Sequence, residues 1–281
     1  MLEDLIQDRR RKLERYAASE NPFPARVGIR TLLGKIVTEF SKFSRGKKNI
    51  IVVGRIFGLR DQGKILFADL RDTSGSLQLV LSEKDLNDRF VFIKETLDIG
   101  DFIEAKGTVF TTKRGEKSVL VKSIRILSKS MRPIPSEWYG LTDVETRLRK
   151  RYLDLLLNKE VRDLFIKKSI FWNSVRSYLK NEGFLEVEMP VLEPIPGGAE
   201  AEPFTTHHNT LDMDFYLRIS LELPLKKLLV GGFERVFEIG RIFRNEGIDR
   251  EHLQDYTQME CYLAYADYGI MMKFVEKMYK K

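Results

Sequence analysis

Cysteine is all but missing from this 281-residue chain, where Cys261 stands alone. That excludes an internal disulfide framework and fits a reducing compartment. No uncharged apolar run approaches the length of a bilayer span, so no membrane partner is expected. The opening residues MLEDLIQDRRRKLERY have neither the apolar centre nor the small-residue cleavage site of a secretory signal, and a cytoplasmic protein is the expectation. Repeats and low-complexity segments are absent. Histidine is limited to three residues, and His207 and His208 have no metal-ligand spacing. Neither sign of charge dominates. The 48 basic residues exceed the 41 acidic ones to give +7, a mild excess that favours a polyanionic partner such as nucleic acid only weakly.

What is present suffices for two domains, with 43% of residues hydrophobic. Leu2 to about Ala18 reads as one charged helix, stopped by the breaker run Asn21–Pro24. A second amphipathic helix is expected over Thr31–Phe43. From Asn49 the period changes to that of strands: IIVVGRIFG, KILFADLRD, SLQLVLS, DFIEAKGTVF and KSVLVKSIRIL, with a helical piece over Glu83–Thr96 after the third. Three strands, a helix and two strands is the order of an OB-fold barrel. Alternation turns Leu66, Ala68 and Leu70 inward and leaves Phe67 outward; Leu77, Leu79 and Leu81 point in and Gln78 out. An outward ring beside an outward amide suits single-stranded RNA, although such a ring can equally pack beneath a neighbouring element. Arg9, Arg10, Arg11, Lys12 and Arg15 of the first helix are candidates for contact with an RNA backbone, or else form a solvated face.

A proline-bearing linker at Met131–Leu141 leads to a second region. There one or two long helices end at Gly183, and a strand FLEVEMPVL and a Gly/Pro loop follow. Next come a strand near Phe215–Ile219, a short helix near Glu222–Leu229, and two strands joined by a polar loop. The expected organisation is a helical segment over 1–48, a barrel over 49–130, a linker over 131–150 and a second domain over 151–281. On the final hairpin, Phe237, Ile239 and Phe243 share a face, as do Thr257, Met259, Cys261 and Leu263. The opposite side carries Glu238, Ile242, Arg244 and Glu246, with Tyr256, Gln258, Glu260 and Tyr262 on the second strand. It is either a wet surface with cross-strand ion pairs or the floor of a ligand site. Cys261, on the apolar side, reads as a buried structural thiol.

The segment FRNEG followed by REHLQDYTQMECYLAYADY closely resembles motif 2 of the class II aminoacyl-tRNA synthetases, in particular the lysyl-tRNA synthetase family. EGFLEVEMPVL resembles motif 1, the segment that builds the dimer interface of that class. IPGGAEAEPFTTHHNTLDMDFYLRIS, VGGFERVFEIGR, RLRKRYLDL, the barrel strands and DRRRKLERYAASENPFPAR extend the resemblance over nearly the whole chain. It implies an α+β protein: an N-terminal OB-fold anticodon-binding barrel, then a class II antiparallel-sheet catalytic domain. It implies activation of lysine with ATP and Mg2+, transfer to tRNA(Lys), and a homodimer through motif 1. By the same resemblance Arg244 is the catalytic cation bridging carboxylate and α-phosphate, a role suited to a planar, permanently charged fork. Glu246, His252 and Tyr256 complete the ATP side. Gly198, Glu222, Glu260 and Tyr262 form the lysine side with Arg244, and Phe67, Gln78 and Glu116 read the anticodon. Pro224 and Glu202 depart from the family's usual residues.

The class completes its site with a Gly-rich motif 3, and after Gly247 only Gly269 follows. The expectation is therefore a catalytically incomplete piece, with Mg2+ ligands outside these residues and unpaired sheet edges that reduce solubility. Two other readings stay open: a non-catalytic RNA-binding relative, or an aspartyl- or asparaginyl-type synthetase. The latter would need a cationic side-chain pocket, where Glu260 and Tyr262 offer the opposite.

Overall fold

The computed structural model describes residues 2–46, 48–135, 141, 143–247, 249 and 251–281. The chain divides into two compact units, Met1–Leu157 and Asn158–Lys281. Residues 136–140 and 142 of the expected linker lie outside the described residues.

The first unit begins with α1 (Leu2–Ala17), α2 (Leu33–Thr38) and α3 (Phe40–Gly46). The single helix expected over Thr31–Phe43 is thus two, broken at Glu39, whose backbone leaves the helical region and caps α2. Then come β1 (Ile50–Asp61), β2 (Ile65–Arg71), β3 (Ser76–Ser82), α4 (Glu83–Leu86), α5 (Arg89–Thr96), β4 (Phe102–Thr111) and β5 (Lys117–Ser128). The helix expected over Glu83–Thr96 is likewise divided, at Asn87, whose positive φ ends α4. The strands close into a barrel in the order β1-β2-β3-β5-β4, with β3 and β5 parallel and the other pairs antiparallel. Full closure leaves no sheet edge to protect. The alternating residues Leu66, Ala68, Leu70, Leu77, Leu79 and Leu81 all enter its core.

Helix α1 is fastened to the barrel unit by polar groups as well as apolar ones. Tyr16 is fully buried against Phe92, and its hydroxyl accepts from Ile126 N at 2.9 Å and donates to Glu20 at 2.6 Å. The basic residues of α1 do not form a free strip. Arg9 is buried and donates to the carbonyls of Ser130, Arg132 and Ile99; Lys12 binds Asp98 and Asp8, and Arg15 binds Glu95. Burial without partners would be costly, and three carbonyls meet the cost for Arg9. Within the span expected as linker lies α6 (Val144–Arg149), and it is joined to α7 (Arg151–Leu157) through buried Asp154, which binds Arg147 and Arg151.

The second unit opens with α8 (Lys159–Asn181), stopped by Gly183 at φ +82 with Phe184 N returning to Leu179 O. The strand expected from FLEVEMPVL is two short ones, β6 (Leu185–Glu186) and β7 (Leu192–Glu193), separated by the segment containing Pro190, which has no N–H for a ladder. Next are β8 (Thr205–His208), β9 (Met213–Leu217), α9 (Glu222–Val230), β10 (Arg235–Phe243), β11 (Asp255–Leu263) and α10 (Tyr268–Tyr279). Pro224 is accommodated because it lies in the first turn of α9, where backbone N–H groups have no helical acceptor. The sheets run β11-β10-β6 and β7-β9-β8. One face of β10–β11 packs Phe237, Ile239, Met259, Cys261 and Leu263 against Val175, Leu179 and Phe184, with Phe274 and Met278 of α10. The other face meets α9.

Candidate active site and nucleic-acid interface

The polar face of the hairpin converges on the five residues Arg218–Glu222, between β9 and the first residue of α9. Leu221 and Leu225 of this region pack on Val236 and Ile242, with Tyr256 and Tyr262 partly buried beside them. The tyrosine rings therefore serve as walls of the site. Between those walls, Glu260 accepts on Oε1 from Gln258 at 2.6 Å, Leu221 N at 3.1 Å and Ser220 Oγ at 3.4 Å. Its Oε2 accepts from the Tyr262 hydroxyl at 3.0 Å. All four donors are neutral, and among the described residues no Lys, Arg or His pairs with this half-buried carboxylate. Burial, followed by the bond to Glu260, pushes the Tyr262 hydroxyl pKa well up, which keeps it a donor. Cys261 is pushed up to about 11 by burial first and Glu260 second, in keeping with an unreactive packed thiol.

The other expected residues enter through the same segment. Gly198 has φ +86, and a Cβ there would stand 2.5 Å from Ser220 Oγ and 2.8 Å from Glu222 Cβ, so only glycine lets the loop approach this closely. Glu222 opens α9 and binds Lys226 at 2.5 Å, one turn on. Arg244 Nε donates to Ile219 O at 3.4 Å, and its guanidinium lies 5.9 Å from the centre of the Tyr256 ring. Gly198, Glu222, Glu260, Tyr262 and Arg244 are thus gathered around Ile219–Leu221. Glu246 and His252 are not. Both are exposed in the hairpin loop, where His252 Nδ1 is 2.6 Å from Asp249 Oδ2; residues 248 and 250 of that loop lie outside the described residues.

Four participants were not singled out as site residues from the sequence. Ser220 and the Leu221 backbone hold Glu260, and nothing in RISLEL marks them. Arg218 and Glu238 form a buried ion pair at 2.7 Å. The only signal for that pair was one charge in each of two otherwise apolar runs, FYLRI and VFEIG.

On the barrel, Phe67 and Gln78 share the outer face as diagonal neighbours, since Phe67 opposes Val80 and Gln78 opposes Asp69. Both are partly buried. Gln78 Oε1 accepts from Ser118 Oγ at 3.0 Å, and that hydroxyl also donates to Glu116 O at 3.3 Å. The exposed Glu116, at the end of the β4–β5 turn, is in this way linked to the strand carrying Gln78. Beside Phe67, Arg60 opposes it on β1 and pairs with Asp69 at 2.8 Å. Among the described residues no group of three or more His, Cys, Asp or Glu is placed to hold a metal ion, and no helix is long and apolar enough to cross a membrane.

Residues 50–127 match the OB-fold nucleic acid binding domain, and residues 143–281 match the tRNA synthetases class II (D, K and N). With the closed barrel and the α+β second unit, these matches place the chain in the class II aminoacyl-tRNA synthetases. Within that class it belongs to the lysine–tRNA ligase family. It is 49% identical over 282 residues to the lysine–tRNA ligase of Roseiflexus castenholzii, covering 99% of this chain and 58% of the relative. The enzyme of Dehalococcoides mccartyi is 47% identical over 278 residues, covering 99% of this chain and 55% of that one. That of Moorella thermoacetica is 51% identical over 231 residues, covering 82% and 47%. The chain therefore spans about half the length of these relatives.

Proposed function

We propose that this chain carries the lysine-recognising floor and the anticodon-reading barrel of a lysine–tRNA ligase. In the reaction, a lysine carboxylate oxygen bonds to the α-phosphorus of ATP while the bond to pyrophosphate breaks. A ribose hydroxyl of tRNA(Lys) then attacks the acyl carbon and releases AMP. The observation that carries the reading is Glu260: a half-buried carboxylate held by four neutral donors and matched with no cation among the described residues. Such a group is stabilised by a ligand ammonium and would repel the side-chain carboxylate of aspartate. Tyr262 fixes its second oxygen. Gly198 and Glu222 stand where the α-amino group would lie.

Arg244 supplies the fixed charge needed when a carboxylate approaches a phosphate. Tyr256 offers the adenine a face, and the exposed Glu246 and His252 would take its edge and the phosphate side. Mg2+ would accompany the ATP phosphates, with ligands outside the residues named here. On the barrel, Phe67 would stack a base, with Gln78 and Glu116 reading its edges. The exposed Leu185, Val191 and Leu192 of the motif 1 segment support a homodimer.

We propose further that the 281 residues by themselves bind the ligands without completing adenylate formation. The test is lysine binding compared with norleucine, which lacks the amine, in the chain and in Glu260→Gln, beside lysine-dependent ATP–pyrophosphate exchange. Lysine preferred by the chain and lost in Glu260→Gln supports the site. Robust exchange by the chain alone overturns the incompleteness. Binding of tRNA with no binding of lysine or ATP would favour a non-catalytic RNA-binding relative.

A further inference from the structure

The register of β10 and β11 sets Glu238 directly opposite Glu260. Opposed residues of an antiparallel pair project from the same face, so two carboxylates meet on the floor of the site. Like charges in that position destabilise the sheet unless something cancels one of them. Arg218 does so. The side chains of Arg218 and Glu238 are 3% and 4% exposed, and Nη1 stands 2.7 Å from Glu238 Oε1. The same guanidinium donates from Nε to Arg241 O at 2.8 Å and from Nη1 to Met189 O at 3.1 Å, while Glu238 Oε2 accepts from Met189 N at 3.2 Å.

Both ions are therefore committed to each other and to backbone, and Arg218 has no latitude to swing toward Glu260. Gly240 makes the room. A Cβ there would stand 2.6 Å from Glu238 Oε1 and closer still to Arg218 Nη2. Gly240 in turn opposes Gln258, the residue that donates to Glu260.

We propose that Arg218 is a positioning residue for ammonium recognition, acting through Glu238 and without touching the ligand. By neutralising one carboxylate of the opposed pair it leaves the floor with a single uncompensated negative charge, on Glu260. The inference rests on the reading of Glu260 as the ammonium acceptor. If Glu238 is made neutral, the charge of Arg218 is left uncompensated in the same floor and offsets that of Glu260 through space, which weakens its attraction for the ligand cation. If Arg218 is removed, a second uncompensated carboxylate stands opposite Glu260, and like-charge repulsion disturbs the geometry that receives the ammonium. Removing both charges returns the floor to a net charge of one.

The experiment measures lysine and norleucine binding to the full chain by ligand-observed NMR, in wild type, Glu238→Gln, Arg218→Met, the double variant and Glu260→Gln. Each single change at the ion pair is expected to lower the lysine-over-norleucine preference roughly tenfold or more, and the double variant to recover it to within about threefold. A purely structural anchor would weaken both ligands together, leave the preference alone and gain nothing from the second substitution. Glu238→Gln is nearly isosteric, so it decides the matter if Arg218→Met does not fold; an unchanged preference there overturns the proposal. A double variant as poor as the singles also overturns it. If Glu260→Gln abolishes the preference while the ion-pair variants keep it, the role of Arg218 alone is refuted. If Glu260→Gln keeps it, or the wild-type chain has none, the reading of Glu260 falls as well.

Discussion

In the barrel unit twenty-three buried residues form one cluster that fills the closed sheet. The second unit divides its core between the two faces of the β10–β11 hairpin, with four buried residues on each among the described residues. Its strand β11 pairs only with β10 among the described residues, and α8 leaves Leu164, Phe165, Ile166, Ile170 and Phe171 more than half exposed. Closure gives the barrel both its core and its freedom from edges. The hairpin must hold an uncompensated carboxylate, a buried ion pair and two tyrosine walls over a much thinner support. The region proposed to carry the chemistry is thus the one with the thinner support, as expected where polar groups are kept short of full satisfaction.

Core truncations break this comparison most directly. Leu79→Ala should cost the barrel about 2–5 kcal/mol, and Phe237→Ala should cost the second unit about 3–5 kcal/mol. Calorimetry should show two transitions, with Leu79→Ala moving only the barrel's and Phe237→Ala only the other. A single transition shifted alike by both would mean that the two cores are one cooperative body, and the contrast would fail.

Much of the contrast was legible in the sequence because it rests on local rules. The barrel strands alternate cleanly, so Leu66 to Leu81 declare their faces and the order of elements declares the topology. The hairpin faces follow from the same period, and Cys261 and Glu260 fall on opposite sides as alternation requires. What was not legible depends on long-range geometry. The inward turn of Arg9 is fixed by carbonyls 90, 121 and 123 residues further along the chain, which no helical wheel displays. The convergence on Ser220 and Leu221 uses a hydroxyl and a backbone N–H, groups common to countless loops. Breaks at Glu39 and Asn87 likewise lie in the backbone and not in the hydrophobic period.

A smaller effect is expected where a buried polar group ties α1 to the barrel. Tyr16→Phe keeps the ring but strands Ile126 N and removes one donor from Glu20, which keeps Arg89, at a cost of about 1–3 kcal/mol to the barrel transition. Burial, then the bond to Glu20, raises the Tyr16 hydroxyl from 10.0 to about 12. A raised pKa means that its contribution is complete below the unfolded value and is lost as pH climbs through the folded one. Wild type should therefore lose barrel stability between those values, and Tyr16→Phe should lose less over the same window. Glu20 gives the opposite limb: the Arg89 guanidinium holds its carboxyl below the usual 4.5. Its contribution is present above that value and fades as pH falls through the lowered one. Glu20→Gln should cost about 1 kcal/mol at neutral pH and flatten the acid side of the melting profile. A profile that overlays wild type would remove the ion pair from the account of the barrel.

The smallest expected effect lies on the exposed face of α8. Phe171 is 52% exposed and its ring stands 5.2 Å from that of Trp172, edge to face. Phe171→Gln takes away little buried area within the unit, so the unfolding free energy of the dissociated chain should stay within about 0.5 kcal/mol of wild type. That near-neutrality contrasts with Phe237→Ala, one unit and one residue type removed only in burial. If a second copy covers this side of the molecule, as the motif 1 segment suggests, the same substitution should still leave the dilute monomer unchanged while weakening association. Sedimentation velocity across a concentration series, run beside chemical denaturation at the lowest concentration, separates the two quantities. A large loss in the monomer itself would show that α8 is already covered by the unit's own residues, and the thin-support description of the second unit would have to be withdrawn.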